Sequence, residues 1–172
     1  MLRPHLDHIP PVVLPAGYRL VTAEQLEDPA PIWAQVINES FGDTHWPPDR
    51  PREEFMSKPQ YDPTGVFFIF WGDEDDPVST AFAWRDTPEE KELGRVHWVG
   101  TVERHRGKGL GQSVVCAVLH HHRARGMQRA YLTTQAKRLP AIRLYLRLGF
   151  EPWPRSDAEA AEWEGVMKAL DA

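Results

Sequence analysis

Arg106-Gly107-Lys108-Gly109-Leu110-Gly111 follows a strand-like run, Val96 with Trp98 and Val99, and leads into a helix-like run from about Gln112. Three glycines within five residues let backbone close around a ligand, because each removes a Cβ that would hold it away. The helix start behind them adds unpaired N–H groups and a partial positive charge. The loop therefore reads as a site for a phosphate-bearing ligand. A nucleoside-triphosphate loop needs glycine five residues before its Gly-Lys pair and a hydroxyl after it; Val102 and Gly109 stand there instead. A dinucleotide loop needs a third glycine where Gln112 lies, and no acidic residue ends the next strand-like run over 129–135. What the residues do satisfy is R-x-x-G-x-G, through Arg106, Gly109 and Gly111, and again through Arg104, Gly107 and Gly109.

Working outward from the loop, Leu110, Val114 and Val118 recur at helical spacing with Val115 and Leu119, and Arg125-Gly126 gives a helix end. A short strand over 129–134 completes strand–helix–strand and predicts a parallel pair. Pro140 opens a further helix that Gly149 closes, and 150–153 reads as a final strand. On the other side, Val66–Trp71 has the apolar, β-branched and aromatic composition of a buried strand. The acidic stretch 72–77 reads as a turn into an antiparallel return over 78–85, with a further strand over 95–102. Tyr18 to Val21 suits a first strand, and Ile32, Trp33, Val36 and Ile37 a helix ending near Gly42. A breaker-rich loop over 43–52 and a short helix over 53–57 follow. Residues 1–16, with four prolines, read as an extended arm. The fold class is mixed α/β, antiparallel first and parallel later.

The 172 residues suit one domain, and 41% hydrophobic content argues for a packed core. A formal charge of −5 disfavours a nucleic-acid partner through Arg123, Arg125 and Arg129. The one cysteine, Cys116, forms no intrachain disulfide and reads as a buried thiol. No apolar run reaches the roughly 18 residues of a membrane span, and the start lacks the apolar core of a secretory signal. The expected location is the cytoplasm, with no membrane partner. His120-His121-His122 is not expected to bind metal, since consecutive helical residues point in different directions.

The loop, followed by a helix, a short strand and Ala141-Ile142-Arg143-Leu144-Tyr145-Leu146-Arg147-Leu148-Gly149-Phe150, resembles the GNAT superfamily of acyl-CoA-dependent N-acyltransferases. The strong resemblance covers about residues 95–153. It implies a single domain over 17–172 whose parallel strand pair splays to admit acetyl-CoA, used as co-substrate with no metal. Arg106, Gly107, Lys108, Gly109, Leu110, Gly111 and Gln112 would hold the pyrophosphate, and the backbone of Val99 and Thr101 the pantetheine arm and acyl carbonyl. Thr133, Thr134 and Gln135 would line the other wall. Arg138 stands where many members carry an asparagine that contacts the cofactor.

The implied reaction is direct attack of a primary amine on the thioester. A lysine-like amine, with a pKa of about 10.4, is neutral to roughly 1 part in 10³ at pH 7, so a base is useful. Tyr145 occupies the family's general-acid position. His97 is the candidate base, because alternation puts Arg95, His97, Val99 and Thr101 on one face; Arg95 replaces the glutamate common in the family. Asp43, His45 and Trp46 are candidate acceptor contacts. A C-terminal helix through Trp163 and Val166 is expected in place of the family's closing hairpin, packed on the domain or on a second copy in a homodimer. An acyl-CoA-binding sensor without turnover is the alternative function.

Overall fold

A computed structural model describes residues 1–72 and 76–171, so three residues of the expected acidic turn, 73–75, lie outside the described residues. One six-stranded sheet runs through the molecule in the order β1 (Leu2–Arg3), β6 (Arg129–Tyr131), β5 (Leu93–Thr101), β4 (Asp76–Trp84), β3 (Val66–Trp71), β2 (Tyr18–Thr22). Every neighbour pair is antiparallel except β5 with β6, the expected parallel pair. Strands β3 and β4 are buried along nearly their whole length, because helices cover both faces. Helix α1 (Pro29–Phe41) starts where the Asp28 carboxylate accepts from Ala30 N–H, and it ends at Gly42 with φ +61°. Trp33, Val36 and Ile37 turn inward from it. Helix α2 (Leu110–Ala124) packs on the opposite face, and glycine at 94 permits the approach: a Cβ there would meet the His122 ring at 2.5 Å. Helices α3 (Leu139–Arg147) and α4 (Asp157–Asp171) follow. The Trp163 side of α4 packs against the domain, with Val166 buried.

Three expectations are corrected. The arm over 1–16 contributes to the sheet: Leu2 and Arg3 pair with Tyr131 and Ala130, and Met1, Leu6 and Ile9 are buried. The strand expected over 129–134 stops at Tyr131, because β5 and β6 pair only through Leu93–Arg129, Gly94–Ala130 and Arg95–Tyr131. The final strand expected over 150–153 reduces to one bridge between Glu151 and Leu2.

The parting of β5 from β6 coincides with a bulge. Phe82 opposes His97 and Thr80 opposes Gly100, so Trp98 and Val99 share the place opposite Ala81. Trp98 takes φ +49°, a left-handed conformation that costs a bulky residue about 1–2 kcal/mol. Beyond Arg95 the β6-facing edge of β5 has no strand partner among the described residues. On the far side Leu132 N–H donates to Met1 O, so the chain after β6 is held by the amino-terminal strand and not by β5.

Arg3 locks that arrangement. It is 5% exposed, and its guanidinium donates to Leu148 O and, at 2.6 Å, to Asp7 O. Arg3→Ala leaves the buried Leu148 carbonyl without this donor, which predicts a loss of about 2 kcal/mol in urea unfolding. A loss under about 0.5 kcal/mol would contradict the arm's structural role.

Candidate active site

The glycine loop sits between a short 3₁₀ turn (Glu103–His105) and the start of α2. Gly107 and Gly109 have φ of +76° and +81°, which residues with a Cβ adopt at a cost, and no atom lies within 4 Å of where either Cβ would be. The loop is thus both left-handed and open on its outer side. Gly109 caps α2 without a side chain to bond its first-turn N–H groups. Those donors, from Leu110, Gly111 and Gln112, have no partner within the helix and face an electropositive helix end, a fit for phosphate oxygens.

The cationic side chains also contact the protein around the loop. Arg104 pairs with Glu39 and Asp76. Arg106 donates to Thr101 O at 3.2 Å and Ser40 O at 2.7 Å, tying the loop to the end of α1. The Lys108 ammonium lies 5.9 and 6.0 Å from the ring centres of Tyr18 and Trp71. Both Arg106 and Lys108 remain exposed beside the loop's backbone donors.

The bulge at Trp98 also overturns the expected shared face. Val96 and Val99 pack with the core under α2, while the His97 ring meets Phe55, Trp84 and Trp98 on the α1 side. Arg95 and His97 thus face α1, and Val99 and Thr101 face α2. One extra residue in the strand reverses the alternation. Thr101 Oγ1 is engaged by Ser79 Oγ at 2.8 Å, and its carbonyl accepts from Arg106 Nε.

Tyr145 lies on the α2 side, 6% exposed, with its ring 5.9 Å from that of Phe150. Burial pushes its hydroxyl up to about 12, opposed by the positive charge of Arg138. Arg138 caps the start of α3 and lays its guanidinium 4.4 Å over the Phe41 ring, joining α3 to the end of α1 across the parting. Of the expected acceptor contacts, Trp46 alone enters the aromatic cluster, 5.0 Å from Trp33 and 5.4 Å from Trp98. Asn38 pins it by donating to Trp46 O and accepting from Trp46 N–H. Asp43 and His45 are exposed. Asn38, Phe55 and Trp98 escaped the sequence reading because they resemble ordinary core and helix residues. His120, His121 and His122 turn to Pro10 O, Asp62 and Arg95 O respectively. Cys116 is buried, which pushes its thiol up to about 11.

A model of the acetyltransferase (GNAT) family matches residues 31–150. The chain belongs to this family. It is 33% identical over 147 residues to a mycothiol acetyltransferase of Streptomyces bingchenggensis, covering 83% of this chain and 46% of that protein. A mycothiol acetyltransferase of Rhodococcus erythropolis is 32% identical over 162 residues, covering 87% and 52%. The chain therefore spans about half the length of these curated relatives. Among solved structures, a GCN5-related N-acetyltransferase from Sphaerobacter thermophilus aligns with a TM-score of 0.71 at 24% identity, covering 87% of this chain and 46% of that one. Arabidopsis thaliana Naa50, in complex with the bisubstrate analogue CoA-Ac-MVNAL, aligns with a TM-score of 0.62 at 17% identity, covering 81% and 86%. These two likenesses concern the fold. Among the described residues no helix is long and apolar enough to cross a membrane.

Within this GNAT domain His97 is a weak base. Burial, then the positive charge of Arg95, pushes its pKa down to about 3, far below the pH at which an ammonium proton must be taken. Burial likewise pushes His122 down to about 4. In the unfolded chain both titrate near 6.5, so below that pH the unfolded state binds protons that the folded state refuses. Their contribution to stability is complete above about pH 6.5 and is lost as pH falls, down to about 4 for His122 and about 3 for His97. Urea midpoints should therefore drop from pH 7 to pH 4.5, with a shallower drop in His97→Phe. An equal drop in the variant would contradict the neutral, buried state of His97.

Proposed function

We propose that the chain transfers an acetyl group from acetyl-CoA to a primary amine by direct attack, in the cytoplasm. One observation carries this: the open glycine loop and the uncapped start of α2 adjoin the strandless edge of β5, with Tyr145 on the same side of the sheet. The backbone N–H groups of 107–112 would hold the pyrophosphate, and the Val99–Thr101 backbone would align the pantetheine arm. Bound acetyl-CoA supplies the reactive thioester. The acetyl C–N bond forms as the C–S bond breaks; the amine's proton leaves to solvent, and the departing sulfur takes a hydrogen bond and then a proton. Tyr145, which keeps its proton throughout the neutral range, would donate its O–H to that sulfur. Arg138, between Phe41 and Tyr145, holds the α3 side of the cleft against the α1 side.

The mycothiol acetyltransferase relatives support the same donor chemistry. They make the amine of a mycothiol-type acceptor one arm of the test, while the acceptor itself depends on this chain's own residues. A sensor that binds acetyl-CoA without turnover is the second reading, favoured by the weak basicity of His97. Thiol released from acetyl-CoA over a panel of amines separates the two. The expected result is turnover that falls about 10²-fold in Tyr145→Phe with acetyl-CoA affinity within twofold of the parent. Binding without thiol release from any amine would favour the sensor, and unchanged turnover in Tyr145→Phe over pH 6–9 would remove its role as proton donor.

A further inference from the structure

The donor loop, α2 and Tyr145 all lie on one side of the sheet, so an amine must reach the thioester from the α1 side. Arg95 faces that side. It forms the last pair between β5 and β6, opposite Tyr131, at the point where the strands part. Its side chain faces away from α2, since its neighbours Gly94 and Val96 take the α2 side.

The guanidinium is poorly used by the protein. Its Nη1 reaches Asp86 Oδ1 at 3.3 Å, and Nη2 reaches Thr133 Oγ1 at 3.5 Å, both long for such bonds. Nε is buried without a partner. Asp86 is divided between two groups, its other oxygen accepting from the Tyr131 hydroxyl. With the Asp86 side chain 55% exposed, solvent screens this ion pair. The guanidinium lies 5.6 Å from the Tyr131 ring centre, and its Nη1 and Nη2 each keep an N–H beyond these contacts. A guanidinium with spare N–H groups is a receptor for a carboxylate, which can accept two parallel bonds from it.

The space beside it suits the rest of such a molecule. Tyr131 and Thr133, the neighbours of Arg95, also line a cavity of about 250 Å³ with Thr134, Trp153 and Trp163. Tyr131 and Trp153 meet edge to face at 6.0 Å and offer an apolar wall. Arg155, Glu159 and Glu162 supply the charged part of the same lining, and Arg95 lies just outside it, in contact with Tyr131 and Thr133.

We infer that the acceptor is an amine carrying a carboxylate, an amino acid with an apolar side chain, and that Arg95 binds its carboxylate. This rests on the acetyl-transfer reading above and names the acceptor class for that site. Arg95 would hold the amine near the β5 edge, and the apolar side chain would lie against Tyr131 and Trp153.

The test is steady-state thiol release at saturating acetyl-CoA with leucine, phenylalanine and tryptophan, each against its decarboxylated amine: isoamylamine, phenethylamine and tryptamine. The parent should show a KM at least tenfold lower for the amino acid of at least one pair. Arg95→Gln should erase that preference through KM, with kcat within about threefold and acetyl-CoA affinity unchanged. Asp86→Asn, an exposed change that frees the guanidinium, should lower KM for the amino acid, which keeps the test decisive if Arg95→Gln folds poorly. Preference for the decarboxylated amines, or a preference that Arg95→Gln and Asp86→Asn both leave unmoved, overturns the inference alone. Failure of acetyl-CoA to bind, or of every amine to release thiol, overturns the acetyl-transfer reading and this inference with it.

Discussion

The separation of β5 from β6 after the Arg95–Tyr131 pair is the constraint on which the rest of the structure depends. Two parallel strands that stayed paired would bury the edge of β5. Three features keep them apart. The bulge at Trp98 lies on β5 three residues beyond the last pair. Leu132 bonds to Met1 and not to β5. Arg3, inserted against Leu148 and Asp7, holds the amino-terminal strand in place. A two-residue strand and one buried guanidinium thus help to hold open a cleft formed by residues more than ninety positions away.

The two sides of the opening differ in chemistry. On the α2 side the loop offers backbone N–H groups and a helix end, while Arg104 pairs with carboxylates, Arg106 donates to carbonyls and Lys108 lies near aromatic rings. Those contacts shape the loop. Fixing Arg106 on Ser40 and Thr101 holds its backbone in position, so less ordering remains to be done when an anion binds. On the α1 side the walls are aromatic, and the titratable His97 stays neutral beside Arg95.

Much of this was legible in the sequence. The apolar run Val66–Trp71, the helical spacing after Leu110 and the glycine spacing each carry a strong local signal. The family likeness fixed the element order from 95 onward, and the model match over 31–150 extends it to most of the chain. What escaped has a common cause. A bulge adds one residue to a strand without changing its composition, so period-two counting carried His97 to the wrong face. Leu2–Arg3 is too short for a periodicity, and its place depends on contacts across the whole chain. The use of Arg104 and Arg106 in ion pairs and brackets depends on Glu39, Asp76 and Ser40, which come from distant elements.

The central claim is that one anionic ligand occupies both the glycine loop and the strandless edge of β5. Amide chemical-shift mapping during titration with coenzyme A tests it most directly. The account predicts the largest shifts at Gly107 to Gln112 and at Val96 to Thr101, with little change across β2 and β3. Shifts absent from the loop, or centred on the α4 side of the molecule, would contradict it.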